Sequence, residues 1–267
     1  MSGWLIYLAL GALAGLLAGL LGVGGGLVLV AALAWLLPLR GVPIEFAMQA
    51  ALATSLASIV LTASSSASAH ARRGSVLWPT VFTLLPGLLI GGWLGSLLAT
   101  HLPGSLLRWG VALYCLLAAA QLLLAGNRNR DAHPDSPIPR DAGIAVAGLG
   151  IGLVSALVGI GGGSLTVPLL IWRRVAPVRA VGTSSACGVA IGLASAAGYS
   201  MHGPVGGLPH GSVGFVFLPA AVGIALASVL TAPLGARLAH RIGGIALQRV
   251  FALFLLLVGI SLILRGI

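Results

Sequence analysis

Two glycine runs constrain this chain more than any other feature: Gly22-Val23-Gly24-Gly25-Gly26 and Gly159-Ile160-Gly161-Gly162-Gly163. The second follows the first at an offset of 137 positions, as from Gly22 to Gly159. Their surroundings agree at the same offset: Gly15-Leu16 with Gly152-Leu153, Leu20 with Leu157, Val30 with Val167, Trp35 with Trp172. Three glycines inside apolar sequence make a poor helix interior, because each costs about 1 kcal/mol there against alanine. Glycine offers instead a backbone that turns, takes positive φ, or lets another group come close. In a bilayer, broken backbone survives only where protein buries it or where it lines a watery cavity. Two such breaks at matching places in two halves point to a transporter's binding site.

The apolar runs around these breaks suit a membrane. Of 267 residues, 58% are hydrophobic and 7% charged, and a span needs about 20 helical residues. The runs lack the period of two that barrel strands show, so the chain reads as an all-α polytopic membrane protein. All 14 basic residues are arginines. They cluster in short loops between apolar runs, which reads as a membrane-orientation signal rather than nucleic-acid binding. Cys115 and Cys187 lie in apolar runs and form neither a disulfide framework nor a metal spacing. No cofactor motif is present. Gly3–Leu37 reads as a membrane segment rather than a removable signal peptide.

The first run, Gly3 to Pro38, breaks at the glycines into arms Gly3–Leu21 and Leu27–Leu37, the second spanning about half a bilayer. A hydroxyl-rich helix follows at Phe46–Ala69, then spans at Val76–Ala99 and Leu106–Ala125. Residues 126–141 form a polar cytoplasmic linker with three prolines. After it the pattern restarts: Ala142–Val158, the second glycines, Ser164–Trp172, then spans at Ala180–Met201, Ser212–Ala239 and Ile245–Leu264. Ala53-Thr54-Ser55 matches Gly182-Thr183-Ser184 at an offset of 129, as from Thr54 to Thr183, and Leu94-Gly95-Ser96 matches Leu234-Gly235-Ala236. The chain therefore divides into a first repeat at 1–125, the linker, and a second repeat at 142–267.

Counting arginines orients the repeats. If each broken segment crosses once, the loops hold eight arginines on one side and six on the other. If each is a hairpin that returns to the side it entered, the split becomes eleven to three, with only Arg40, Arg108 and Arg265 on the poorer side. The positive-inside tendency favours the second arrangement. It predicts two inverted repeats, each a glycine-broken re-entrant helical hairpin plus three transmembrane helices, with the eleven-arginine side cytoplasmic.

The segment Gly15, Gly19, Gly22, Gly24, Gly25, Gly26, repeated as Gly152, Gly159, Gly161, Gly162, Gly163 and followed by Pro168, resembles the TauE/SafE sulfite-exporter family. The Gly-Thr-Ser element at 182–184 and Leu-Gly-Ala-Arg-Leu at 234–238 resemble it too. The copies differ where Ala31 stands against Pro168 and Gly19 against Ala156. The resemblance covers almost the whole chain. It implies a permease in the cell's inner membrane for small sulfur-containing anions such as sulfite, thiosulfate or sulfoacetate.

The expected substrate site comprises Gly24, Gly25, Gly26, Thr54, Ser55, Gly161, Gly162, Gly163, Ser164, Thr183 and Ser184. Backbone donors and helix starts after the glycine turns would face an anion, and neutral hydroxyls would bind it without a buried charge. The plainer readings are close helix packing by small residues and hydroxyls bonding back to their own helices. His70, Tyr199 and His202 read as interfacial anchors, and Trp4, Trp35, Trp78, Trp109 and Trp172 as an aromatic belt. None of the acids, Glu45, Asp131, Asp135 and Asp141, lies deep in an apolar run, which argues against a cation pump. No mid-membrane histidine stands ready to serve a serine nucleophile, so the chain does not read as an enzyme. The partners expected are a small anion and the lipid bilayer, without nucleic acid. The alternatives to a carrier are an anion channel of the same fold and a structural membrane protein without transport.

Overall fold

The computed structural model describes residues 2–21, 25–124, 141–204, 206–239 and 244–264. Gly24 and nearly all of the linker lie outside these residues. The elements are α1 (Ser2–Leu21), α2 (Gly26–Leu36), two 3-10 turns at Pro38–Arg40 and Ile44–Phe46, α3 (Ala47–Ala71), α4 (Trp78–His101), α5 (Gly104–Leu124), α6 (Ala142–Val158), α7 (Gly163–Trp172), α8 (Pro177–Met201), β1 (Ser212–Val213), β2 (Val216–Phe217), α9 (Leu218–Ala239) and α10 (Gly244–Leu264). Among the described residues, four helices are long and apolar enough to cross a membrane: Ile44–Ala71, Trp78–His101, Pro177–Met201 and Leu218–Leu238. One expectation fails. Ser212–Phe217 does not begin the ninth helix but forms a small antiparallel hairpin, with Ser212 opposite Phe217 and Val213 opposite Val216. Gly211 and Gly214, both at positive φ, flank and turn it, a geometry glycine adopts without steric cost.

Both glycine-broken segments fold back on themselves. In the first, Gly25 lies against the backbone of Ala14, and Arg40 returns to sit over the Tyr7 ring, 5.9 Å from its centroid. In the second, Gly162 lies against Ile151 and Ser155 of α6, and Arg173 at the end of α7 pairs with Asp141 at the start of α6. A straight crossing would put those ends about a membrane thickness apart.

The halves interlock by exchange. Helix α1 runs parallel to α9, with Gly11, Gly15 and Gly19 pressed on the backbones of Ile224, Ser228 and Ala232. Helix α6 runs parallel to α4 in the matching way, Gly148 on Leu84 and Gly152 on Leu88. Glycine at every fourth position lets backbones approach where lipid offers no hydrophobic drive between helices. The central pair, α3 and α8, is antiparallel: Gly192 meets Leu56 and Val60, Gly188 meets Ala63, and the Ser66 and Ser185 hydroxyls bond at 3.0 Å. Helices α5 and α10 pack on each other at the side.

These directions sort the loops. Arg72, Arg73 and Arg237 share one basin. Arg179 stands at that same end, because its neighbour Thr183 bonds the Leu77 amide and Gly182 packs on Ser75. Arg40 stands at the other end, where Glu45, His101 and Arg108 share a cavity. The five belt tryptophans are 48–78% exposed, three near the Arg40 end and two near the Arg72 end.

Candidate functional site

The short helices α2 and α7 begin at the glycine turns. Their N-cap residues, Gly25 and Gly162, are left-handed, with φ of 66° and 74°, and neither helix start has a side-chain cap. Such a start presents unsatisfied amides carrying the equivalent of about half a positive charge. A Cβ would strike the Ala14 backbone at Gly25 and the tip of the Ile191 side chain at Gly162.

The two tips meet. Gly26 lies so close to the Gly159 carbonyl and to Ile160 that a Cβ there would overlap them. Ser55, fully buried on α3, reaches both turns. Its single O–H is shared between the Gly159 carbonyl at 3.0 Å and the Gly26 carbonyl at 3.3 Å. On the far side Gly188 of α8 packs on Gly161 and on Ala63 of α3. Ser184 is fully buried one turn before Gly188. Gly163 starts α7, and the hydroxyl of Ser164, next in line, bonds to the Tyr114 hydroxyl of α5.

Thr54 and Thr183 face other partners. Thr54 Oγ1 accepts from the Phe217 amide at 3.0 Å, and Thr183 Oγ1 accepts from the Leu77 amide at 2.9 Å while donating to the Arg179 carbonyl. Phe217 and Leu77 each directly precede a long helix, α9 and α4. The repeated threonines thus perform one repeated task, fixing the chain as it enters those helices. His70 and Tyr199 also differ from expectation. Both are fully buried rather than interfacial. His70 Nε2 meets the Gly19 carbonyl at 3.1 Å, and the Tyr199 hydroxyl donates to Ala156, the match of Gly19, at 3.0 Å.

Sequence reasoning passed over Ser155 and Thr166. They flank the second turn, on α6 and α7, and both are fully buried with hydroxyls that have no hydrogen-bond partner. An unmade bond of this kind costs about 1–3 kcal/mol. Their matches in the first hairpin are Ala18 and Leu29, so among the described residues spare hydroxyls flank only the second turn; the first hairpin's unpartnered hydroxyl, that of Tyr7, lies at its open end beside Arg40. A search for what repeats misses them; the signal was the departure from the repeat.

A cavity of about 950 Å³ opens beside α2 at the Arg40 end, lined among others by Trp35, Glu45, Gln49, His101 and Arg108. Gln49 Nε2 donates to the Leu102 carbonyl at 2.9 Å, while its buried Oε1 has no partner. Outside the spans, the Arg173 guanidinium and then the Ile144 amide hold the Asp141 carboxyl below its ordinary pKa. That clamp closes the open end of the second hairpin.

The chain is 35% identical to a probable membrane transporter protein of Haemophilus influenzae, covering 98% of both chains. It is 28% identical to the probable membrane transporter protein YunE of Bacillus subtilis, over 99% of this chain and 98% of that one. With MJ0441 of Methanocaldococcus jannaschii, also named a probable membrane transporter protein, it shares 23% over 97% of this chain and 95% of that one. No solved structure matches it. These relatives are named as membrane transporters, not as enzymes, and with the match of residues 7–262 to the family described as sulfite exporter TauE/SafE, the chain belongs to the TauE/SafE family.

Proposed function

We propose that this protein is a secondary carrier of the inner cell membrane for a small anion, a sulfur-containing oxyanion or organosulfonate of the sulfite, thiosulfate or sulfoacetate class. We read it as two inverted repeats, 1–125 and 142–267, joined by a cytoplasmic linker at 126–141. The antiparallel pairing of α3 with its match α8 supports that reading, as do hairpins that open at opposite ends. The observation carrying the functional reading is the meeting of the two hairpin tips at Ser55. Two uncapped helix starts there provide positive potential without a fixed cation, which keeps an anion releasable. Ser155 and Thr166 supply donors with no other use, so the substrate sits toward the second hairpin, near Gly161, Gly162, Gly163, Ser164 and Ser184, with Gly25, Gly26 and Ser55 completing the site.

Flux of radiolabelled sulfite and thiosulfate into proteoliposomes tests this. Saturation with counterflow is expected. Unsaturated, high-conductance current identifies a channel, and absence of flux for every small anion leaves a structural protein. Ser155→Ala and Thr166→Val are expected to raise the half-saturating concentration about tenfold each, the worth of one lost bond to a charged group. Unchanged affinity in both moves the site away from the second hairpin.

A further inference from the structure

The Arg72 end carries a second built feature. A lateral basin of about 660 Å³ lies between α3 and α9, with Arg72, Arg73 and Arg237 at one end and Leu61, Val229 and Pro233 among its walls. Three arginines crowd its mouth, and no acid is among the described residues that line it. Below them the walls turn from hydroxyls to apolar side chains, ending at Leu61, which is 53% exposed. From Arg72 to Leu61 the helix rises about 16 Å, the hydrocarbon depth of one leaflet, half of about 30 Å. The basin thus grades from cationic to apolar over the length of one leaflet.

The internal repeat supplies a control. At an offset of 129, Ser64, Ser65, Ser68, Arg72 and Arg73 match Leu193, Ala194, Ala197, Met201 and His202, and at an offset of 140 Arg237 matches Leu97. The equivalent groove at the other end therefore holds no arginine and no serine among these positions. Packing alone does not call for the difference, because the same helix pair forms with either set. Of the basin's serines, Ser64 and Ser65 are already used: Ser64 Oγ donates to the Val60 carbonyl at 2.6 Å. Pro233 has no amide to give the Val229 carbonyl its helical bond, and Ser65 Oγ donates to that carbonyl at 2.8 Å.

We propose that this basin binds an anionic phospholipid of the arginine-side leaflet, with its phosphate among Arg72, Arg73, Arg237 and Ser68 and an acyl chain over Leu61, Val229 and Pro233. Basic pockets between membrane helices hold anionic headgroups in this way. The apolar lower half distinguishes a lipid from a free oxyanion, which would leave it empty.

Native mass spectrometry of the full-length protein, delipidated and titrated with phosphatidylglycerol or phosphatidylcholine, tests the assignment. One arginine near the surface is worth about a factor of five in anionic-lipid attachment, so three give about a hundredfold preference for phosphatidylglycerol. The triple variant Arg72→Gln, Arg73→Gln, Arg237→Gln is expected to bring the two lipids to parity. Arg237→Gln alone, the measurement to use if the triple variant fails to accumulate, is expected to lose about fivefold. Arg174→Gln, an exposed arginine outside the basin, is expected to keep the full preference. Millimolar inorganic phosphate or sulfite is expected to leave the lipid bound. Parity of the two lipids on the wild type overturns the proposal, as does a triple variant that keeps the preference. Complete displacement by phosphate or sulfite also overturns it and makes the basin a vestibule for free anions.

Discussion

The Ser55 hydroxyl lies 3.0 Å from the carbonyl of Gly159, a residue 104 positions further along the chain. Through that bond and its longer partner to Gly26, one side chain of the central helix α3 ties the two glycine turns together. Ser55→Ala leaves both carbonyls without this donor in a buried site, a loss of about 1–2 kcal/mol. Thermal unfolding in detergent is expected to register that loss and flux to fall with it. An unchanged melting temperature would show that the tips hold together without the serine.

Gly25→Val and Gly162→Val act on the turns themselves. Each puts a β-branched residue at positive φ and drives its Cβ into a neighbour, Ala14 or Ile191. Strained backbone of this kind costs about 1–3 kcal/mol before the overlap is counted. Both variants are expected to lose transport, with reduced membrane accumulation. Either one transporting at the wild-type rate would mean that its turn does not need to close.

The clamp between Asp141 and Arg173 gives a pH signature. Its carboxyl has a folded pKa below the unfolded one, so its contribution is complete above the ordinary aspartate range near 4 and fades as pH falls through the lower folded value. Asp141→Asn is expected to flatten the fall in melting temperature below about pH 4 relative to the wild type. Parallel curves for the two proteins would show that the clamp adds nothing at the exposed end of the hairpin.

Helix directions make a labelling prediction. Cys115 and Cys187 are both buried, so new cysteines can be read against a quiet background. Arg73→Cys and Arg237→Cys are expected to label with an impermeant maleimide from one side, and Arg40→Cys and His101→Cys from the other. Labelling of all four from the same side would contradict the inverted arrangement.

Ser65 and Pro233 are coupled through the Val229 carbonyl. Ser65→Ala is expected to cost about 1 kcal/mol, the usual net worth of a hydrogen bond. Pro233→Ala restores a helical amide to that carbonyl, so adding Ser65→Ala to it is expected to cost close to nothing. A double-mutant cycle in detergent measures the difference, and strict additivity would show that the serine serves another partner.

The glycine breaks, the order of the helices and the arginine-bearing loops between them were legible in the residues themselves. Each follows from local chemistry: glycine disfavours helix, apolar runs need lipid, and arginine avoids crossing. The helices lie within a few residues of their expected bounds, apart from Ser212–Phe217, where two glycines turn the chain before an apolar run that alone reads as helix. Only the tertiary structure decided what the hydroxyls do. Thr54 and Ser55 are neighbours, yet one fixes the entry to α9 and the other the meeting of the tips. That division depends on which backbone groups, distant in sequence, are left without partners after packing. The spare hydroxyls of Ser155 and Thr166 emerged for the same reason, because whether a buried group is satisfied is a property of all its neighbours together.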